Sequence, residues 1–369
     1  MNKTVLTSFT ILCLLSIVFL IGYKISVKAS PDVIHVPTDY PTIQEAINHT
    51  NSGDTIFVYN GTYYEHVVID KSISLVGEYK DSTTIDGNET GNVISITANN
   101  VNINDFTIQN SGSTSSDSGI YVVSSGNNIS RNTITNNKNG IYLYYSNSNT
   151  VSGNDVSSNN WYGIYLHYSS SNVISDNNVY SNYNDGIYLY YSNNNTVSDN
   201  NVSSNNWYGI YLYYSSSNVI SDNNVYSNYN DGIYLYYSNS NTVSDNNVYS
   251  NNNGIYLYYS SSNVISNNNA TNNDCGIWIR QLSSSNVISG NNLSSNKNGI
   301  YLYYSNNNVI SSNDAYSNKD YGIYLQYSSS NVISNNNAYS NNWYGICLYY
   351  SSNNNTIHHN NFINNTDQV

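Results

Sequence analysis

Four aspartates recur at one place in consecutive stretches of this sequence: Asp176, Asp199, Asp222 and Asp245. Carboxylates set about 5 Å apart repel one another unless water or a cation screens them. The row reads as a solvated turn; no cofactor is required, and calcium is the ion that a line of hard oxygen ligands would suit. A second recurring set is aromatic, with tyrosines two and four residues after a repeated glycine: Tyr142 and Tyr144, Tyr188 and Tyr190, Tyr211 and Tyr213, Tyr234 and Tyr236, Tyr256 and Tyr258, Tyr301 and Tyr303. Aromatic faces stack on the C–H faces of sugars while phenol hydroxyls hydrogen-bond, so an exposed tyrosine ribbon suits an extended polysaccharide or cell-surface glycan. Cross-strand tyrosine pairs also stabilise a sheet by themselves. His167, Trp278 with Arg280, and Gln326 interrupt the pattern, and a local site is expected at those breaks.

Other chemistries find less support. Six histidines are scattered as His35, His49, His66, His167, His358 and His359, and Met1 is the only methionine, so the spacing that soft-ligand metal sites need is missing. Glycoside hydrolysis requires two carboxyls about 5–10 Å apart, which adjacent repeats could supply, but no single repeat clusters acids. With a formal charge of −13 and only Arg131 and Arg280 as guanidinium donors, nucleic-acid binding is excluded. Cys275 and Cys347 lie three repeats apart, roughly 14 Å along a stack of strands, too far for a disulfide. Free thiols are expected.

The elements that must position these residues follow from the repeat. Gly119, Gly140, Gly163, Gly186, Gly209, Gly232, Gly254, Gly276, Gly299, Gly322 and Gly345 open units separated by 21, then 22 or 23 residues. Tyr occurs 42 times in 369 residues while charged residues make up 9%, a bias foreign to ordinary globular domains. Polar disorder would be poor in the aromatic and β-branched residues that recur here. Each unit alternates with period 2, as in Gly186-Ile187-Tyr188-Leu189-Tyr190-Tyr191, Thr196-Val197-Ser198 and Asn201-Val202. One unit cannot bury its apolar face, whereas stacked units bury Ile and Leu in continuous columns. The expected fold is all-β, a parallel β-helix of about 14 coils of 22–23 residues. Asn154, Asn177, Asn200, Asn223, Asn246 and Asn268 should form an amide ladder at one turn. The glycine is expected where a side chain would collide or φ is positive.

Residues 1–29 read as a signal peptide: Lys3 precedes an apolar run from Val5 to Tyr23, and Val27-Lys28-Ala29 offers a cleavage site after Ala29. The run also suits an uncleaved N-terminal anchor, the one route by which a membrane would be a partner. Residues 30–55 form an N-terminal cap, where Thr42-Ile43-Gln44-Glu45-Ala46-Ile47 predicts a short helix with a capping box. Such a helix would cover the first open coil, whose edge would otherwise recruit strands. The β-helix then spans 56–369, irregular over 56–118 and regular over 119–369. Asn-x-Ser/Thr glycosylation signals occur at Asn48, Asn60, Asn88, Asn128, Asn194, Asn201, Asn269, Asn292, Asn354 and Asn364.

Pro41-Thr42-Ile43-Gln44-Glu45-Ala46-Ile47, Gly53-Asp54-Thr55-Ile56, Gly61-Thr62-Tyr63-Tyr64-Glu65 and Ile73-Ser74-Leu75-Val76-Gly77 resemble the opening of the pectin-lyase-like superfamily, pectin methylesterases included. The later coils resemble the NosD-type carbohydrate-binding and sugar-hydrolase (CASH) repeats of archaeal surface proteins. His358-His359-Asn360-Asn361-Phe362-Ile363-Asn364-Asn365 is similar to the repeat edge of that group. The resemblance covers nearly the whole chain after the leader and implies a right-handed helix displayed outside the cell, specifying fold more than activity. With the leader, the glycosylation signals and the tyrosine columns, the reading is an exported cell-surface glycoprotein, a structural or adhesive module that binds carbohydrate through its tyrosine ladder. The alternative is a polysaccharide-active enzyme, a lyase or glycoside hydrolase. Against the enzyme, the Asp-Asp and Gly-His-Gly elements of polygalacturonase-like proteins are absent, as is a pectate-lyase-like Arg/Lys cluster. A lesser alternative is a NosD-like copper-binding protein, since NosD is associated with copper-site assembly, but the histidine spacing here does not carry copper binding with the likeness.

Overall fold

A computed structural model describes residues 31–368; the expected signal peptide or anchor over 1–29 lies outside them. The described chain is an all-β parallel solenoid of about 14 turns. Three parallel sheets of 15, 13 and 14 strands run its length, and each turn contributes a strand to each sheet. In one turn these are Ile187–Tyr190, Thr196–Ser198 and Asn201–Ser203. Register is like over like: Ile187 pairs with Ile210, Tyr188 with Tyr211, Leu189 with Leu212 and Tyr190 with Tyr213. A period-2 strand places alternate side chains on opposite faces. Identical register therefore converts one alternating motif into a continuous interior column, and Ile187, Leu189, Ile210 and Leu212 are fully buried.

The repeated glycine is required by collision, since these glycines keep an ordinary φ. A Cβ on Gly186 would sit 2.5 Å from Val202 Cγ1 and 2.8 Å from the Gly209 carbonyl of the next turn. The expected amide ladder is present: Asn177, Asn200, Asn223 and Asn246 are buried, and each donates its side-chain amide to the next Oδ1 at 2.9–3.0 Å. Two further ladders run through the other turns, through Asn172, Asn195 and Asn218 and through Asn182, Asn205 and Asn228. All three corners are thus closed by the same chemistry. Each buried amide satisfies backbone carbonyls that a turn would otherwise leave unpaired.

At the N-terminal end the helix Ile43–His49 buries Ile43, Ala46 and Ile47, and Thr42 caps it by accepting from the Glu45 N–H at 3.1 Å. Glu65 accepts from the Ile43 and Gln44 N–H groups at 2.9 Å each, placing a carboxylate at the helix start. The cap region also holds the first strand, Val33–Val36, which pairs with Thr55–Val58. Cys275 and Cys347 are free thiols.

Candidate functional site

The glycine-led sheet carries the tyrosines, and its outer face holds three columns where alternation alone expects two. The column two residues after glycine points outward but is covered. Tyr188 keeps only 8% of its surface, and Tyr142, Tyr234 and Tyr256 are buried similarly. Part of the cover for two of them comes from the neighbouring corner, where Tyr162 leans over Tyr188 at 5.0 Å and Tyr208 over Tyr234 at 4.9 Å. Within the column the rings stack at 4.9–5.1 Å through Tyr165, Tyr188, Tyr211 and Tyr234. Burial, with neighbouring phenols adding to it, pushes their ionisation above the ordinary tyrosine value. Tyr188 and Tyr234 thus expose little ring surface, while Tyr211 is half-buried.

The accessible aromatic surface lies farther along the strand. Tyr190, Tyr213 and Tyr236 are half-buried; Tyr190 and Tyr213 stack at 5.3 Å, and Tyr213 and Tyr236 meet at 5.1 Å with a 37° tilt. Beside them runs a column that alternation does not single out, Tyr168, Tyr191, Tyr214, Tyr237 and Tyr259, each in the left-handed conformation at φ +47° to +50°. Left-handed backbone breaks the alternation and turns this fifth residue outward as well. Tyr191 and Tyr214 are each 37% exposed, and their rings stack at 5.0 Å and stand edge-on to the preceding tyrosines. The doubled Tyr-Tyr before each serine turn is the sequence signal for this column.

At the corner before the glycine, residue type alternates from turn to turn: Trp161-Tyr162, Asn184-Asp185, Trp207-Tyr208, Asn230-Asp231. Tyr183, Asn206, Trp207 and Tyr229 line an open cleft of about 380 Å³ there. Tyr229 is 80% and Trp207 49% exposed, so two or more aromatic faces stand free around an amide. Asp185 and Asp231 are buried behind this corner, and desolvation raises their carboxyls to about 7 and about 6. Asp185 accepts from the Tyr208 N–H at 3.0 Å and Asp231 from the Asn253 side chain at 2.7 Å.

Two of the three breaks are absorbed into the sheet. His167 Nδ1 meets the Tyr142 hydroxyl at 2.9 Å, and burial lowers its pKa. Gln326 accepts from the Tyr301 hydroxyl at 2.7 Å. At the third break, the Arg280 guanidinium lies over the rings of Trp278, Tyr258 and Tyr303 at 5.2, 5.6 and 5.6 Å.

Asp176, Asp199, Asp222 and Asp245 stand exposed on the turn between the other two sheets, all at φ +57° to +60°. Among the described residues no group of three or more His, Cys, Asp or Glu could hold a metal ion. The glycosylation signals divide by position. Asn60, Asn88, Asn194 and Asn354 are exposed, whereas Asn128, Asn201, Asn269 and Asn292 lie half-buried within strands. Asn201, Asn269 and Asn292 each donate their amide nitrogen along an outer ladder at 2.8–3.0 Å, the atom a glycan would occupy.

Residues 208–369 match the family described as periplasmic copper-binding protein (NosD), and residues 91–248 match the right-handed β-helix region. No curated protein matches the chain. Among solved structures, the Dettilon tailspike protein is similar at 20% identity and a TM-score of 0.60, over 73% of this chain and 68% of that one. The A-module of an Azotobacter vinelandii mannuronan C-5 epimerase is similar at 14% identity and 0.52, over 88% and 90%. The DFA-IIIase of Arthrobacter chlorophenolicus A6, in complex with GF2, is similar at 14% and 0.55, over 83% and 94%. Copper, which the first family description names, does not fit the residues present. His358 and His359 meet Nδ1 to Nδ1 at 2.7 Å, but no third ligand joins them in a metal-holding group among the described residues.

Proposed function

We propose, from the β-helix fold and the matches to two family models, that the chain is an exported module binding an extended carbohydrate along its tyrosine face. The observation that carries this reading is the pair of accessible columns through Tyr190, Tyr213 and Tyr236 and through Tyr191, Tyr214 and Tyr237. They repeat each turn at about 4.8 Å, so successive rings present a continuous aromatic track. Soluble proteins rarely leave an apolar strip of that length uncovered without using it. Similar structures include a mannuronan epimerase and an enzyme holding GF2, which supports a carbohydrate partner. The apolar run after Lys3 and the periplasmic description of the matched family support export.

The test is a glycan array with the secreted chain and a Tyr190→Ala/Tyr213→Ala/Tyr236→Ala variant. Binding should fall by about tenfold or more for the variant, since aromatic anchors commonly carry over 1 kcal/mol each. An array without signal for the wild-type chain, or equal signal for both proteins, overturns the reading. A Tyr188→Phe variant keeps the buried stack and should bind as the wild type does.

A further inference from the structure

The chain has two arginines, and they are held in opposite ways. Arg131 forms a two-point ion pair with Asp105, at 3.0 Å from Nε and 2.7 Å from Nη2. Arg280 has no carboxylate partner; among the described residues the salt bridges are Lys80–Asp155 and Arg131–Asp105. Three aromatic rings hold its guanidinium instead, with one long contact of 3.5 Å from Nη1 to the Tyr256 hydroxyl. A guanidinium offers five N–H donors. Here Arg280 Nε is buried without an acceptor, and so is the neighbouring indole N–H of Trp278. Buried donors in native proteins nearly always find partners, so this site is under-satisfied from within.

The outer aromatic column is interrupted beside this arginine. In this turn the outermost tyrosine is replaced by Gln281, and an additional residue, Leu282, follows it; both have left-handed backbone, at φ +51° and +54°. The outer column stacks from Tyr237 to Tyr259 on one side and from Tyr304 to Tyr327 on the other. Between Tyr259 and Tyr304 lie two turn spacings, about 9.6 Å. The outer aromatic column is thus interrupted over about 9.6 Å by Gln281 and the exposed Leu282, with the Arg280 cation in the column beside them; this interruption is the gap in the track.

We infer that this gap is a subsite for an anionic sugar unit, one whose carboxylate or sulfate ester accepts hydrogen bonds from Arg280 while the adjoining units lie on the flanking tyrosines. The inference rests on the carbohydrate reading above and adds to it a charge preference at one position of the track. A planar guanidinium suits two-point contact with either kind of anion. The remainder of the chain is acidic, at −13 overall, so an unpaired cation on the aromatic face would discriminate between ligands more than it would attract them generally.

The experiment is calorimetric titration of the full chain with three probes of equal length: an oligouronate, a sulfated oligosaccharide and a neutral gluco-oligosaccharide. At least one anionic probe should bind about tenfold or more tightly than the neutral one at low salt, with the advantage shrinking as salt rises. Arg280→Gln should bring the anionic probe to the neutral level and leave the neutral probe unchanged, and Arg280→Lys should recover part of the difference. Which anion gains identifies carboxylate or sulfate as the group recognised. Equal binding of charged and neutral probes, unaffected by Arg280→Gln, overturns the subsite and leaves the tyrosine track standing. Failure of all three probes overturns both. Unchanged melting of Arg280→Gln shows that any loss of binding is local.

Discussion

Asn200 and Tyr213 recur once per turn with equal regularity, yet the helix holds them in unlike ways. Asn200 is fully buried; its amide donates to the Ile174 and Ser198 carbonyls and to Asn223, and its oxygen accepts from the backbone and side chain of Asn177. Tyr213 touches rings above, below and beside it, and its outer surface meets water. A side chain with five partners at fixed distances admits no other residue. One held by ring faces tolerates exchange, and along the tyrosine columns His167, Trp278, Arg280 and Gln326 do appear. Periodicity inside therefore reports a structural requirement, and periodicity outside reports a surface free to be specialised.

That contrast breaks first at the ladder. Asn200→Ala leaves the Ile174 carbonyl and both neighbouring amides short of partners in a dry interior, and should cost about 3–5 kcal/mol at the ladder. Because stability in a solenoid is shared between neighbouring turns, hydrogen exchange should speed up most in residues 174–223. Exchange as slow as in the wild type would mean that water replaces the amide.

A smaller effect should come from the corner, where interior and face meet. Asp185 is held neutral to about pH 7, against an ordinary value of 3.8. The folded state thus keeps a proton that the unfolded chain releases. Its stabilisation is complete below about pH 4 and is lost as pH rises toward 7, by up to roughly 4 kcal/mol at 1.36 kcal/mol per unit. The melting temperature should therefore fall between pH 5 and pH 8. Asp185→Asn should flatten the change, since Asn139, Asn253 and Asn298 already occupy the equivalent position. A pH profile identical in the variant removes Asp185 as the cause.

The smallest effect belongs to the exposed acid row. Asp199→Asn with Asp222→Asn relieves like-charge repulsion at left-handed positions that asparagine also favours, and should change stability by less than about 0.5 kcal/mol. A calcium-dependent rise of several degrees in the melting temperature of the wild type, absent from the variant, would instead make the row a cation-binding edge.

The fold was legible because the period is strict: glycine spacing and Ile/Leu alternation determine both the stacking and the face that turns inward. One asparagine ladder could be picked out, through Asn200, while the other two were hidden by abundance. Where asparagine fills every turn, composition does not tell which copy points inside. The side on which the tyrosines lie was also legible. Their accessibility was not, because Tyr162 and Tyr208 reach across a corner from outside the alternating strand to cover Tyr188 and Tyr234. The fifth-position tyrosines escape period-2 reasoning because a left-handed residue breaks the period. Arg280 was visible as an interruption, but the absence of an acid beside it is a property of three dimensions.

The alternation of Tyr162, Asp185, Tyr208 and Asp231 at the corner has a consequence for how such a chain can grow. Tyr162 and Tyr208 each reach over a turn whose own corner residue, Asp185 or Asp231, is small, so over this stretch neighbouring turns fit as pairs. Removing a small-cornered turn from this stretch would set bulky against bulky, whereas small corners do follow one another at Asp231, Asn253, Cys275 and Asn298. Where two corner tyrosines do follow one another, at Tyr321 and Tyr344, the second turn carries Cys347 in place of the column tyrosine. The smaller Cys347 side chain thus stands where two bulky corners meet.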